Sequence, residues 1–193
     1  MLKQLVLGTV LGAIVLFIWS ALAWTIIPWP GEPFRTFTNE QAVIDAIKAN
    51  APQSGNYLLP NEPKRTPGMT DAQYKAAKRA AMDQGARGPM IFAVVRLGPM
   101  DMVKPLIIQF FTQLVLALLA CILLLQTDRL SYFARVAFVA ALGVMIFLGG
   151  HVEEWNWFSF STAYLMMELG AIVIGWILAG LVMARFVRGK TAV

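Results

Sequence analysis

Residues 160–184, FSTAYLMMELGAIVIGWILAGLVMA, contain a single charged side chain, that of Glu168. A helix that rises 1.5 Å per residue needs about 20 apolar residues to cross the hydrocarbon core of a bilayer. Three further apolar blocks approach or exceed this length, at residues 5–27, 105–125 and 132–150. Because a helix satisfies its own backbone hydrogen bonds in lipid, we predict an all-α membrane protein built as a four-transmembrane-helix bundle.

The composition agrees with this prediction. Hydrophobic residues make up 58% of the chain and charged residues 14%, whereas soluble domains carry roughly 45–50% and about 25%. The net charge of +5 does not indicate nucleic-acid binding, since the basic residues are divided between membrane flanks and one long polar segment. The partners that we expect are the lipid bilayer and another membrane protein or a second copy, and no nucleic acid.

The short flanks of the four blocks predict the orientation. The short connection formed by residues 151–159 contains Glu153 and Glu154 but no Lys or Arg. The opposite flanks contain Lys3, Arg129, Arg135, Arg185, Arg188 and Lys190. The positive-inside rule therefore predicts cytoplasmic N- and C-termini in a bacterial inner membrane. The first block, within residues 1–27, also resembles a signal peptide ending at Ala21-Leu22-Ala23, but its length leads us to expect a retained helix.

Residues 28–104 are predicted to form a small α+β extracytoplasmic insertion between the first two helices, followed by a three-helix region at residues 105–193. Thr38 with Gln41 and Thr70 with Gln73 have the spacing of capping boxes, which predicts two helices. Short strands are predicted at residues 57–59 and 90–96. Basic residues on the second helix, at positions 75, 78 and 79, form a solvated face or contact anionic headgroups or an acidic partner.

Glu168 is the most informative single residue, because an ionisable group inside a membrane helix usually faces the bundle interior or a water-filled cavity. Side chains expected at similar depth complete a predicted polar layer: Ser20, Gln109, Gln113 and His151. Two interpretations are open. The layer forms hydrogen bonds that hold the helices together, or it forms a functional pocket for proton transfer or for a lipid or quinone headgroup.

Two further patterns concern packing and surface contacts. Small residues recur every four positions, at Gly8 and Gly12 and at Ala171, Gly175 and Ala179, which allows close helix packing within the bundle or with a partner. Glu153, Glu154, Trp155 and Trp157 are predicted to form an interfacial loop. That loop either anchors the chain in the membrane interface or binds a basic partner.

Motifs of catalysis and cofactor binding are absent from the sequence. It has no glycine-rich phosphate loop, no nucleophile elbow and no paired cysteines, since Cys121 stands alone. His151 with Glu153 or Glu154 would supply two metal ligands at most, so no metal site is predicted and no cofactor is identified.

These observations favour a non-enzymatic role. The first hypothesis is an accessory, assembly or structural subunit of a larger membrane complex. The alternative is a proton-linked carrier or a lipid- or quinone-binding membrane protein centred on Glu168. A third hypothesis, an envelope sensor, is weakened by inner loops of only a few residues.

Overall fold

A computed structural model describes residues 2–127 and 130–189. Two residues used above to predict the orientation, Arg129 and Lys190, lie outside the described residues. The chain divides into two compact units. The first comprises Met1–Arg35 with Asp101–Val193, and the second comprises Thr36–Met100.

Within residues 2–127 and 130–189 the chain forms six helices and two strands. In chain order they are α1 (Leu2–Thr25), α2 (Glu40–Asn50), β1 (Gly55–Leu59), α3 (Asp71–Arg87), β2 (Ile91–Val95), α4 (Val103–Leu125), α5 (Tyr132–Phe158) and α6 (Thr162–Phe186). Helices α1, α4, α5 and α6 are each long and apolar enough to cross a membrane. The predicted combination of four long apolar helices with a small α+β segment is confirmed to that extent.

The four long helices form one bundle in which sequential neighbours run antiparallel. Helix α1 packs between α4 and α6, and α6 packs between α1 and α5. We call the end of the bundle where α1 finishes and α6 begins the insertion end, because residues 36–100 join the chain there. The other end is called the opposite end.

Helix α6 is the most buried helix of the bundle, and glycines set its distance from its neighbours. A Cβ atom added at Gly143 of α5 would lie 2.5 Å from the Cβ atom of Trp176 on α6. One at Gly175 would lie 2.6 Å from Cδ1 of Trp19 on α1. Trp29 covers Gly170 in the same way. We call these pairs the three glycine–tryptophan contacts.

The opposite end of the bundle holds a continuous apolar core. Its fully buried members include Cys121, Leu124, Val139 and Met183, which come from α4, α5 and α6. At the same end Arg135 of α5 donates from Nη2 to the carbonyl oxygen of Ala184 at 3.0 Å. A cation there is favourable, because the last carbonyls of α6 lack helical partners and carry the negative end of the helix dipole.

Helix α5 is longer than predicted, continuing to Phe158 instead of ending at residue 150. The predicted span ended at Gly150, but glycine inside a helix costs only about 1 kcal/mol and can be tolerated. The helix ends instead at Ser159, whose φ of 59° places it in the left-handed region. The predicted interfacial loop was therefore wrong in its conformation. Its four residues, Glu153, Glu154, Trp155 and Trp157, lie in the final turns of α5.

In the second unit, one of the two predicted capping boxes is confirmed. The Thr70 hydroxyl accepts from the Gln73 backbone, and the Gln73 side chain accepts from the Thr70 backbone. The other was wrong, because Asn39 caps α2 by accepting from the Ala42 backbone at 3.0 Å. An Asn one residue after Thr38 is an equally good cap, and Gln41 is engaged with Asp45.

The second unit also contains the two-stranded antiparallel sheet, in which Tyr57 lies opposite Ala93. Lys78, one of the three basic residues singled out on α3, donates to Glu62 at 2.6 Å. This hydrogen bond raises the pKa of Lys78 and lowers the pKa of Glu62. Lys78 is therefore engaged within the unit, although both side chains remain largely exposed.

Replacement of Gly143 tests the close packing of α5 on α6. Gly143→Ala should lower the free energy of unfolding by about 1–3 kcal/mol relative to Gly149→Ala, because overpacking forces rigid neighbours apart. The added methyl group at Gly143 would overlap the Cβ atom of Trp176, which cannot move without its backbone. A Cβ atom at Gly149 meets nothing within 4 Å. Thermal or SDS-induced unfolding in detergent measures the difference. Equal stability of the two variants would contradict the packing described.

Candidate functional site

A polar cavity of about 220 Å³ lies in the half of the bundle near the insertion end. All five residues of the predicted polar layer line it: Ser20, Gln109, Gln113, His151 and Glu168. The remaining lining is apolar or aromatic and consists of Leu16, Trp19, Trp24, Leu116, Ile146, Ala171, Ile172 and Trp176. Side chains from α1, α4, α5 and α6 therefore converge on one space. We call it the Glu168 cavity.

Glu168 is the most deeply buried charged residue of the cavity, with 4% of its surface exposed. It lies six residues after Thr162, the first residue of α6, or about 9 Å along the helix axis. Its Oε2 atom is 3.9 Å from Nε2 of His151 on α5. The phenol of Tyr164, one turn earlier on α6, also interacts with the Glu168 carboxyl.

His151 connects Glu168 to a second carboxylate. Its Nδ1 atom lies 3.1 Å from Oε2 of Glu154, one turn later on α5, and its ring stacks on Phe147. An imidazole between two carboxylates can carry a proton on either nitrogen. Glu154 and His151 can thus share a proton, whereas the 3.9 Å between His151 and Glu168 is longer than a hydrogen bond and does not by itself provide a transfer step.

The two glutamines contribute amide groups that no other side chain satisfies. Across residues 2–127 and 130–189, neither Gln109 nor Gln113 makes a side-chain hydrogen bond to the protein, and Gln113 is only 9% exposed. Neither amide is fully enclosed: Gln109 is exposed, and the one fully buried side-chain polar atom without a hydrogen-bond partner among the described residues is Oγ1 of Thr9. A polar group without a partner is costly in an apolar setting, so such groups normally bind protein, water or ligand. These amides are available to whatever occupies the cavity.

The five residues of the predicted polar layer therefore line one cavity. Among the described residues, however, no hydrogen bond joins two of them across different helices. Ser20 donates to the carbonyl oxygen of Phe17 on its own helix at 2.9 Å, so it does not join α1 to a neighbour. The separation between His151 and Glu168, at 3.9 Å, exceeds that of a hydrogen bond. The arrangement is that of a polar pocket more than that of a hydrogen-bonded seam between helices.

Three tryptophans of the cavity wall were not predicted as site residues. Trp19 donates from Nε1 to the carbonyl oxygen of Ala171 at 2.8 Å, which fixes its ring at the junction of α1 and α6. Trp176 follows Glu168 by eight positions, with Ile172 between them, so helical periodicity places all three on one face. That spacing could have identified Trp176 from the sequence. No comparable signal identified Trp19 or Trp24.

The small residues of the predicted stripes face other helices of the same bundle. A Cβ atom at Gly8 would meet Val187 and Cys121, and one at Gly12 would meet Met183. Gly175 is covered by Trp19, while Ala171 and Ala179 are buried. Internal packing thus accounts for these positions, and they do not by themselves indicate a partner subunit.

The acidic and aromatic residues at the end of α5 differ in their roles. Glu154 contacts His151, and Trp155 donates from Nε1 to the Thr162 hydroxyl at 3.3 Å. Glu153 and Trp157 are exposed. Among the described residues, no three His, Cys, Asp or Glu side chains are placed to hold a metal ion.

A second cavity, of about 380 Å³, lies at the insertion end. It is lined by Pro33, Phe34, Arg35, Ser159, Phe160, Ser161 and Tyr164. The rings of Trp24, Phe34 and Tyr164 contact one another, with centroids 5.6–6.5 Å apart. Trp24, which lines the Glu168 cavity, thus touches two residues that line the second cavity.

No protein-family model, curated protein or solved structure matches this chain.

Replacing Gln113 distinguishes a pocket from a hydrogen-bonded seam. Gln113→Met keeps the side-chain length and removes the amide, so it should leave the free energy of unfolding unchanged or raise it. Trp19→Phe is the comparison, since it removes an observed bond and should lower stability by about 0.6–2 kcal/mol, the worth of such bonds in membranes. Unfolding in detergent measures both. An equal loss for Gln113→Met would show that Gln113 holds the helices together.

Proposed function

We propose that this protein is a multi-pass membrane protein that binds the polar part of a small molecule in the Glu168 cavity. One observation carries the proposal. The buried carboxyl of Glu168 and the amides of Gln109 and Gln113, which make no side-chain hydrogen bond among the described residues, line the same cavity, and Gln109 is exposed at the surface of the bundle. Polar groups that a membrane-spanning bundle leaves without hydrogen bonds are costly to stability, and such costs are commonly retained where they serve binding.

The size of the cavity limits what it can hold. Sites for drug-sized ligands measure about 300–1,000 Å³, whereas the Glu168 cavity measures about 220 Å³. A whole lipid does not fit, but a single ring or headgroup does. The alternative content, a cluster of waters at about 30 Å³ each, would suit proton transfer along the row Glu154, His151 and Glu168.

The proposed membrane setting follows from the four apolar helices and the charges at their ends. With the basic flanks in the cytoplasm, the insertion end and residues 28–104 are extracytoplasmic in a bacterial inner membrane. The Glu168 cavity then lies in the outer half of the bilayer.

A membrane-impermeant maleimide should label Asn56→Cys in intact cells, and labelling only after permeabilisation would reverse this orientation.

Replacement of Glu168 tests the proposed site. Glu168→Gln keeps the volume and removes the ionisable group, so a bound small molecule or a proton-dependent phenotype should be lost while expression and folding persist. Native mass spectrometry of protein purified in mild detergent measures retained small molecules. Glu153→Gln is the matched control, since Glu153 is exposed and does not line the cavity. Equal loss of folding and binding in Glu168→Gln would assign Glu168 a structural role.

A second candidate function, that of an accessory subunit of a membrane complex, is supported by the segment Thr36–Met100. In this fully described segment Ala51 is the only buried residue. On one face of the sheet Leu58 and Val94 are exposed, Val94 at 76%. A two-stranded sheet without a buried core is marginally stable alone, so contact with another protein would stabilise it.

Substitutions on the exposed sheet face test that second candidate. Val94→Asp should abolish co-purification of a stoichiometric protein partner, because a charge would enter an apolar interface. Asn56→Asp is the control, since Asn56 lies directly opposite Val94 on the same face and is already polar. Affinity purification from native membranes with mass spectrometry gives the readout. A partner retained by both variants, or a monomer without any partner, would exclude this surface as the docking site.

A further inference from the structure

The Glu168 cavity reaches the side of the bundle between α4 and α5. Of the four principal helix-to-helix contacts in the described bundle, that between α4 and α5 is the smallest. The buried residues of α4 lie between Gln113 and Leu124, and none lies before Gln113. Gln109 on α4 and Ile146 on α5 both line the cavity and are both exposed. The cavity is thus bordered by side chains that face out of the bundle.

An apolar groove on the surface of α4 continues from this border. It measures about 400 Å³ and is lined by Ile107, Ile108, Phe111, Thr112, Val115 and Leu116. Leu116 lines both the groove and the Glu168 cavity. Because residues 109, 113 and 116 are three and four positions apart, they form one stripe along α4, and the groove lies beside it. The Glu168 cavity and the apolar groove therefore meet at the side chain of Leu116.

The charges of the cavity wall restrict the polar group that it can accept. Neither Lys nor Arg lines the cavity, so an anionic phosphate would lie beside the Glu168 carboxyl without a compensating cation, which is unfavourable at low dielectric. The wall instead offers two amides, an imidazole and a carboxyl. Together these groups both donate and accept hydrogen bonds, which matches a neutral group with carbonyl or hydroxyl oxygens.

On the basis of the proposed function, we infer that the ligand is a membrane amphiphile with a neutral head and an apolar tail. The head enters sideways between α4 and α5 and binds the amides of Gln109 and Gln113 and the carboxyl of Glu168. The tail follows the groove past Leu116. Isoprenoid quinones or quinols and diacylglycerols share this chemistry, and both are present within bilayers, so no aqueous route is required.

The test uses the full chain in lipid nanodiscs and compares heads with and without tails. The probes are ubiquinone-2, its tail-less ring ubiquinone-0, dioleoylglycerol, dioleoylphosphatidylglycerol and dodecyltrimethylammonium. Quenching of tryptophan fluorescence reports the quinones, and native mass spectrometry reports the others. Affinities are compared at equal probe concentrations in the lipid phase, so that partitioning of the tail into the bilayer does not count as binding. We expect ubiquinone-2 or dioleoylglycerol to bind at least about tenfold more tightly than ubiquinone-0, because close packing of the tail in the groove, the interaction that drives association in lipid, adds to the contacts of the head.

Val115→Trp should weaken the tailed probe at least about tenfold and leave ubiquinone-0 unchanged, because it fills the groove at a residue that does not line the Glu168 cavity. Leu119→Trp is the matched control, since Leu119 is exposed on the same helix and lines neither space. Should Val115→Trp fail to fold, the dependence on tail in the unmodified protein still decides the question.

The outcomes separate this inference from the proposed function. If probes with and without tails bind equally well, and Glu168→Gln still abolishes binding, the inference of an amphiphilic ligand is overturned. The proposed binding site at Glu168 is then retained. If the anionic phosphatidylglycerol or the cationic alkylammonium binds most tightly, the inference that the ligand has a neutral head is overturned. Binding that Glu168→Gln does not alter, or no binding of any probe, overturns both. A preference for ubiquinone-2 over dioleoylglycerol identifies the ligand as a quinone or quinol, and the reverse preference identifies it as a diacylglycerol.

Discussion

The close approach of α6 to both α1 and α5 is the constraint on which the rest of the bundle depends. Trp19 and Trp176 cover glycines at these crossings, Trp29 of the segment after α1 covers Gly170, and none of the three glycines can accept even a methyl group without a shift of its neighbour. Attraction between apolar surfaces gives little net association in lipid, so close packing must supply it. With α6 held centrally, Glu168 lies inside the bundle with 4% of its surface exposed.

This central position also divides the bundle into two halves of different character. At the opposite end, α4 closes on the others through Ala117, Ala120 and Cys121, and the core is apolar and continuous. Near the insertion end, polar side chains from all four long helices border the remaining space. The apolar half can hold the fold, and it also contains the Thr9 hydroxyl, the one fully buried side-chain polar atom without a hydrogen-bond partner among the described residues. The polar half leaves the amides of Gln109 and Gln113 without partners among the same residues, as expected where binding is favoured over maximal stability.

The site combines elements that serve both stability and chemistry. Trp19 fixes α1 against α6 through its indole N–H and also walls the cavity. Tyr164 interacts with the Glu168 carboxyl and also lines the second cavity. Because the same rings carry both roles, the position of the Glu168 carboxyl depends on the helix packing, and a change at a distant glycine should alter binding as well as unfolding.

The sequence by itself determined the four apolar helices and the set of polar side chains at one depth, because helix length and residue spacing are local properties. It misplaced the end of α5 at Gly150 and the cap of α2, where two neighbouring residues were equally suitable. Only the tertiary structure decided that Gln109 and Gln113 lack protein partners in the described chain, that the small-residue stripes pack internally, and that Leu116 lines both the Glu168 cavity and the apolar groove. Helix rotation and crossing depend on how side chains from different helices fit together, and spacing along one helix does not contain that information.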